Sequence, residues 1–180
     1  NYSDISWGLR VIEAGEANKI SQGGGVKIAV IDTGVDGRHP DLEGRVLAGF
    51  DTINNLPIPE GINSDDGGHG THVAGIIAGT GAVGVKGVAP KSYIIPVKVL
   101  NSSGGGSDKT VSEGIKWAVQ EKVDIINLSL GGDVNPFSTG ASRSCQAVTE
   151  AYKKGIIVVV ASGNEGDWGN AKSEPASCKG

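Results

Sequence analysis

The feature that most constrains this chain is the alternation of short apolar, β-branched runs with stretches of helical period. Residues 26–31 form the first such run, closed by Asp32-Thr33-Gly34, and residues 156–161 form the last. Between them, residues 93–100 and 124–128 read as strands. Helices are predicted from about His69 to Ala78 with Gly79 as the stop, from Asp108 as a cap, and over about residues 142–154 ahead of Gly155. In the second helix Val111, Ile115, Ala118 and Val119 recur at i, i+4, i+7 and i+8. Strands that are apolar on both faces and separated by helices make a mostly parallel sheet covered on both sides, so the predicted class is α/β in three layers. Pro96 removes one ladder donor from its strand and predicts an edge or bulged position there.

A chain of 180 residues makes one domain at most. At that length roughly 70% of the unfolded surface can be buried without metals or staples. With 30 glycines and only 4% aromatic residues, small side chains must do much of the packing, and the glycines read as tight turns and close backbone approaches. The net charge of −4 comes from 16 basic and 20 acidic residues that are interleaved, which leaves no basic footprint for nucleic acid. No apolar stretch approaches the ~20 residues of a membrane span. The start, Asn1-Tyr2-Ser3-Asp4, lacks an initiator Met and the layout of a signal peptide, as in a processed product. Cys145 and Cys178 suit either a disulfide in an oxidising compartment or two buried thiols in a reducing one, and two residues do not decide between them.

In parallel sheets the site lies outside the carboxyl ends of the strands. The residues to watch are therefore Asp32, the Gly-rich stretch 101–107, the run Ser129-Leu130-Gly131-Gly132, and Ser162-Gly163-Asn164, all on one edge. Acyl hydrolysis by nucleophilic catalysis needs a nucleophile, a base, an acid that orients the base, and donors aimed at the developing oxyanion. His69, in Asp66-Gly67-Gly68-His69-Gly70-Thr71-His72, opens a helix between glycines that leave room for a substrate at the imidazole. The plain alternatives are a turn-forming Asp32, a surface or core histidine at His69 and His39, and a strand-end cap at Asn164. Three other motifs fail on context. Asp32-Thr33-Gly34 lacks the second carboxylate copy of an aspartic protease, since Asp51-Thr52-Ile53 has no glycine. The spacing of residues 79–84 fits a dinucleotide fingerprint but follows a helix instead of a strand, and His69 with His72 lacks the i, i+4 zinc arrangement.

Six separated motifs, in order, resemble the subtilisin-like serine proteases: Val30-Ile31-Asp32-Thr33-Gly34-Val35-Asp36, His39-Pro40-Asp41-Leu42, His69-Gly70-Thr71-His72-Val73-Ala74-Gly75, Gly87-Val88-Ala89-Pro90, Asn127-Leu128-Ser129-Leu130-Gly131, and Ala161-Ser162-Gly163-Asn164-Glu165-Gly166. The resemblance spans nearly the whole chain and agrees with the fold read above. It implies a secreted endopeptidase in which Asp32 orients His69, His69 is the general base and later the acid, and Asn164 donates to the oxyanion. His72 is expected to be structural. An extended peptide substrate would lie between Gly104, Gly105 and Gly106 on one side and Ser129, Leu130 and Gly131 on the other. Ala161, Ser162 and Gly163 would form one wall of the primary specificity pocket, and Leu100, Val111 and Leu130 an apolar subsite. Asp108 stands where many relatives carry an aromatic lid, so that subsite is expected to be open.

The family places its nucleophile in a Gly-Thr-Ser turn, and neither that tripeptide nor Gly-x-Ser-x-Gly occurs here. The chain is therefore expected to hold the N-terminal portion of one catalytic domain, to need the segment bearing the serine, and to be inactive alone. The competing function is a catalytically incomplete scaffold that binds or inhibits. By the same resemblance a propeptide is expected during maturation, and Cys145 and Cys178 are expected to pair as they do in some secreted relatives. No cofactor is expected for the chemistry. The resemblance implies a structural calcium at Asp41, although the loop 80–85 that would complete it is short and holds no Asn or Asp, so that Asp41 has the alternative of capping a turn.

Overall fold

Strand β1 (Lys27–Asp32) lies in the middle of a six-stranded sheet in the computed structural model, which describes residues 7–84, 86–133, 141–164, 166, 169 and 172–178. Two short helices, α1 (Trp7–Val11) and α2 (Ala14–Ile20), precede it. The other strands are β2 (Gly49–Asp51), β3 (Leu56–Ile58), β4 (Tyr93–Lys98), β5 (Ile125–Leu128) and β7 (Ile157–Val160), in the spatial order β3-β2-β4-β1-β5-β7. Within this sheet, among the described residues, only the β2–β3 pair is antiparallel. A separate two-stranded ladder joins β6 (Gly132–Asp133) to β8 (Ser173–Glu174). Val85, and Glu165 within the motif 161–166, lie outside the described residues.

Alternation along β1 places its side chains in two cores. Ala29 and Ile31 pack with Val111, Ile115, Ala118 and Val119 of α4 (Asp108–Gln120) and with Ala147 and Ala151 of α5 (Arg143–Lys153). Ile28 and Val30 pack on the other face with Ala74 and Ala78 of α3 (His69–Ala78). This is the three-layer arrangement that the apolar runs predict. The same parity carries one residue further: Asp32 follows Ile28 and Val30 onto the α3 face.

Two local expectations change. Ser107, not Asp108, caps α4: its hydroxyl accepts from Thr110 N while the Thr110 hydroxyl accepts from Ser107 N. Asp108 instead reaches across to α5, accepting from Arg143 N at 2.9 Å and Ser144 N at 3.0 Å, so it caps a helix that begins 35 residues later. Burial raises the Asp108 pKa, but the hydrogen bonds from Ser144 and Arg143 and the Arg143 charge outweigh it and hold the carboxyl below the ordinary value. Pro96 is not at an edge, because β4 lies between β2 and β1. The bulged alternative holds. Val46 and Phe50 oppose Ile94 and Val97, so four steps on one chain span three on the other beside the proline that has no N–H to offer.

Cys145 and Cys178 are joined by a disulfide with Cα atoms 5.3 Å apart, which ties α5 to the segment that follows β8. Closing a loop of this separation contributes about 3.5–4 kcal/mol on the chain-entropy estimate. Among the described residues no helix is long and apolar enough to cross a membrane.

Candidate active site

The chain enters the sheet at β1, moves to β4 on one side, and then crosses to β5 on the other. The crevice at that switch point opens over the carboxyl end of β1. It is a cleft of about 1020 Å³ lined by Thr33, Gly67 and His69 at its floor, by the loop after β4 on one wall, and by Ser129, Leu130, Gly131 and Gly132 after β5 on the other. Ser142, Ser144, Glu174 and Pro175 line it as well.

Asp32 is completely buried, and His69, at the first position of α3, is half exposed, with 55% of its side chain accessible. The imidazole Nδ1 lies 2.8 and 2.9 Å from the two Asp32 carboxylate oxygens. A carboxylate can only accept, so Nδ1 carries the proton and Nε2 is left as the basic nitrogen. Thr33 N donates to Asp32 Oδ1 at 2.7 Å, which fixes the carboxylate from behind. Gly70 makes this approach possible. A Cβ at that position would run into the Gly34 carbonyl oxygen and lie 3.1 Å from the Asp32 Cβ. The glycine after His69 therefore packs inward against β1's end and does not clear space for a substrate, as the sequence suggested.

The loop after β4 is more ordered than a run of three glycines implies. Asn101 Oδ1 accepts from Ser103 N and Gly105 N at 3.0 Å each, and the Asn101 backbone exchanges bonds with Gly104 and Gly105. Gly104 and Gly106 line the cleft, whereas Gly105 turns toward Asn101. Leu100, Val111 and Leu130 meet in the cleft, and no aromatic side chain lines it among the described residues. Asp108 also borders it, held to α5 rather than folded over as a lid.

Ala161, Ser162, Gly163 and Asn164 follow β7 at the same end of the sheet, all exposed, and they do not line this cleft. His72 is exposed, while His39 accepts from Asp41 N at 3.2 Å as the cap of a short 3-10 turn. Asp41 is buried, and its Oδ1 accepts from Val83 N at 2.8 Å. Among the described residues no three His, Cys, Asp or Glu side chains converge on a point. One carboxylate with an oxygen already engaged does not by itself supply a calcium shell of six to eight oxygens.

Two residues that the motifs did not single out hold the site together. Lys98, buried at the end of β4, donates from Nζ to Thr33 O at 2.6 Å, to Asp66 Oδ1 at 2.6 Å and to Leu100 O at 3.0 Å. Asp65 accepts from the turn that leads into α3. Its signal in the sequence is an acidic residue just ahead of a helix start whose own cap, Gly68, has no side chain.

A fully buried carboxylate holding one tautomer of a half-exposed histidine that lines a cleft, on a mostly parallel sheet covered on both faces, is an arrangement able to accept and return a proton. The chain belongs to the subtilase family: the model of that family, peptidase S8, matches residues 23–180. It is 43% identical over 168 residues to thermitase of Thermoactinomyces vulgaris, covering 92% of this chain and 57% of that protein. It is 40% identical to an intracellular serine protease of Paenibacillus polymyxa, covering 96% of this chain and 52% of the relative. Among solved structures, fervidolysin from Fervidobacterium pennivorans superposes with a TM-score of 0.74 at 36% identity, over 83% of this chain and 23% of that one. The chain thus spans little more than half the length of the curated relatives it matches.

Proposed function

We propose that this chain supplies the acid–base half and much of the substrate cleft of a serine endopeptidase. The observation that carries the reading is the Asp32–His69 pair at 2.8 and 2.9 Å, the buried carboxylate standing behind a histidine that lines the cleft. His69 Nε2 removes the proton from a serine hydroxyl as that oxygen attacks the scissile carbonyl, and Asp32 stabilises the imidazolium that forms. The negative charge on the carbonyl oxygen is taken up by donors that include the Asn164 side chain. Collapse of the tetrahedral species breaks the C–N bond, with the proton passing from His69 to the departing amine. Water, deprotonated by His69 in turn, releases the acyl group. The serine is supplied by a segment beyond these 180 residues. The exposed apolar residues of β7, Ile157 and Val159, support a further layer of the same domain there.

The substrate is a polypeptide lying extended between the backbone of Gly104 to Gly106 and that of Ser129 to Gly131, with an apolar side chain directed toward Leu100, Val111 and Leu130. Ala161, Ser162 and Gly163 complete the pocket nearest the bond. The chemistry uses no cofactor, and calcium at Asp41 would act on stability alone. The Cys145–Cys178 bond supports an oxidising, extracellular setting, and membership of the subtilase family supports a propeptide during maturation. The decisive experiment treats the intact gene product with a serine-directed fluorophosphonate and assays a denatured protein substrate. Covalent labelling of a serine outside residues 1–180, together with cleavage, is the expected result. Peptide binding with neither label nor cleavage would replace the protease reading with that of a binding or inhibitory scaffold.

A further inference from the structure

Every polar group of Thr33 is engaged, and together they join the two halves of the catalytic pair. Its N–H donates to Asp32 Oδ1 at 2.7 Å, and its carbonyl accepts from Lys98 Nζ at 2.6 Å. Its hydroxyl donates to Asp65 Oδ1 at 2.7 Å and accepts from Gly70 N at 3.0 Å. Thr33 follows Asp32 in the chain and Gly70 follows His69, so the hydroxyl ties the residue after one member of the pair to the residue after the other. A hydroxyl has one proton. Because the Asp65 carboxylate can only accept, it takes that proton and leaves a lone pair facing Gly70.

Asp65 holds the other side as well. Gly67 N, Gly68 N and Thr71 N donate to it at 3.0, 2.9 and 2.9 Å, and Thr71 Oγ1 donates a further, short bond. It therefore takes up Gly68 N and Thr71 N at the start of α3, where Gly68 as cap offers no side chain, while Gly70 N goes to Thr33. Burial raises the Asp65 pKa, but the hydrogen bonds from the Thr71 and Thr33 hydroxyls and from the Thr71 and Gly68 N–H groups outweigh it and keep the carboxyl below its ordinary value. The carboxylate thus stays ionised, and an acceptor only, through the neutral range.

We propose that Asp65 is a positioning residue for His69: gripping Thr33 on one side and the first turn of α3 on the other, it sets the distance and angle between the His69 imidazole and Asp32. The inference rests on the protease reading above, and its test has one readout that needs no turnover. Asp65→Asn is nearly isosteric, but its amide turns donors toward groups that are themselves donors. In the intact gene product, kcat for a peptide ester should fall about ten- to hundredfold with KM changed less than about twofold, as expected when a reacting group is displaced by a fraction of an ångström to an ångström. The low-field proton resonance of His69 Nδ1–H should shift or broaden. Thr33→Ala should act in the same direction, with Thr33→Ser recovering part of the loss, and this pair decides the matter if Asp65→Asn does not fold. Asp124→Asn removes an equivalent carboxylate bond, to Lys27 N at 2.8 Å, at the opposite end of β1 and should move neither readout. An unchanged resonance and kcat, or a loss of thermal stability alone, would overturn the inference. If the wild-type protein has no turnover, the protease reading fails and the resonance by itself decides whether Asp65 positions His69.

Discussion

The carboxyl ends of β1 and β7 differ sharply although both strands carry continuous apolar runs, Ile28 to Ile31 and Ile157 to Val160. At β1 both faces are covered, Asp32 is wholly buried, and its carboxylate is held by Thr33 N beside it and by His69 from α3. At β7 the outer edge pairs with no strand among the described residues, Ile157 and Val159 are 60% and 51% exposed, and Ala161 to Asn164 lie open. The comparison teaches that the acid–base pair is built from local packing within these residues. The wall proposed to bind the oxyanion and the primary side chain depends on whatever covers β7. Loss of the Asp32 carboxylate at the first end should therefore act on chemistry with the fold retained, whereas changes at the second should act on chemistry and stability through different residues.

The largest effect belongs to the first end. Asp32→Asn keeps the shape but lets His69 adopt the wrong tautomer, and kcat of the intact enzyme should fall about 10⁴-fold with the fold retained. Steady-state kinetics alongside circular dichroism check it, and a loss of less than tenfold would mean that the pair at 2.8 Å is structural. Next comes the second end. Asn164→Leu removes one proposed oxyanion donor and should cost about 10²- to 10³-fold in kcat with KM nearly constant. If kcat is unchanged, Asn164 is only a turn residue after β7, and the contrast between the two ends loses its catalytic half.

The third test concerns cover. If a further layer of the domain packs on β7, Ile157→Ser in the intact protein should destabilise by about 2–4 kcal/mol, as for a core aliphatic. If the face is open to water, the change should stay within about 0.5 kcal/mol. Denaturant melts of the two proteins separate these outcomes.

How much of this was legible in the sequence follows the same contrast. α3 was readable to the residue, His69 to Ala78, because its apolar period and the Gly79 stop are local signals. The face on which Asp32 lies was also implicit in the alternation of β1. β2 and β3 were not readable, since three residues apiece carry no usable period. Pro96 announced a missing donor, but the sequence does not say that four steps of a neighbouring chain bulge around it. Asp108 as a helix start obeyed the pattern of acidic first turns; that its carboxylate serves α5 instead is a tertiary fact. The glycines were placed correctly on the site's edge but with the wrong purpose at Gly70, where the Gly34 carbonyl of the protein itself, not a substrate, comes close. Asp65 was missed because its partners, Thr33 and Thr71, lie 32 residues before it and six after.

The smallest predicted effect compares the two ends through acid. Asp65 beside β1 and Asp108 beside α5 both have folded-state pKa values below the ordinary 3.8. A carboxylate depressed by folding contributes stability that is fully present above its unfolded pKa and is lost as pH falls through the lower folded value. Both contributions should therefore be intact at neutral pH and fade as the pH drops through and below the ordinary carboxylate range, and Asp65→Asn and Asp108→Asn should each flatten that acid limb of the thermal midpoint. The two are predicted to differ in what accompanies the loss. Acid release of Asp65 frees the first turn of α3 and so should alter the His69–Asp32 resonance, whereas release of Asp108 loosens the start of α5, beside the disulfide, and should leave that resonance in place. A resonance that responds equally to both substitutions would mean that the two ends of the cleft are one mechanical unit, and the distinction between a self-contained acid–base pair and a dependent substrate wall would have to be given up.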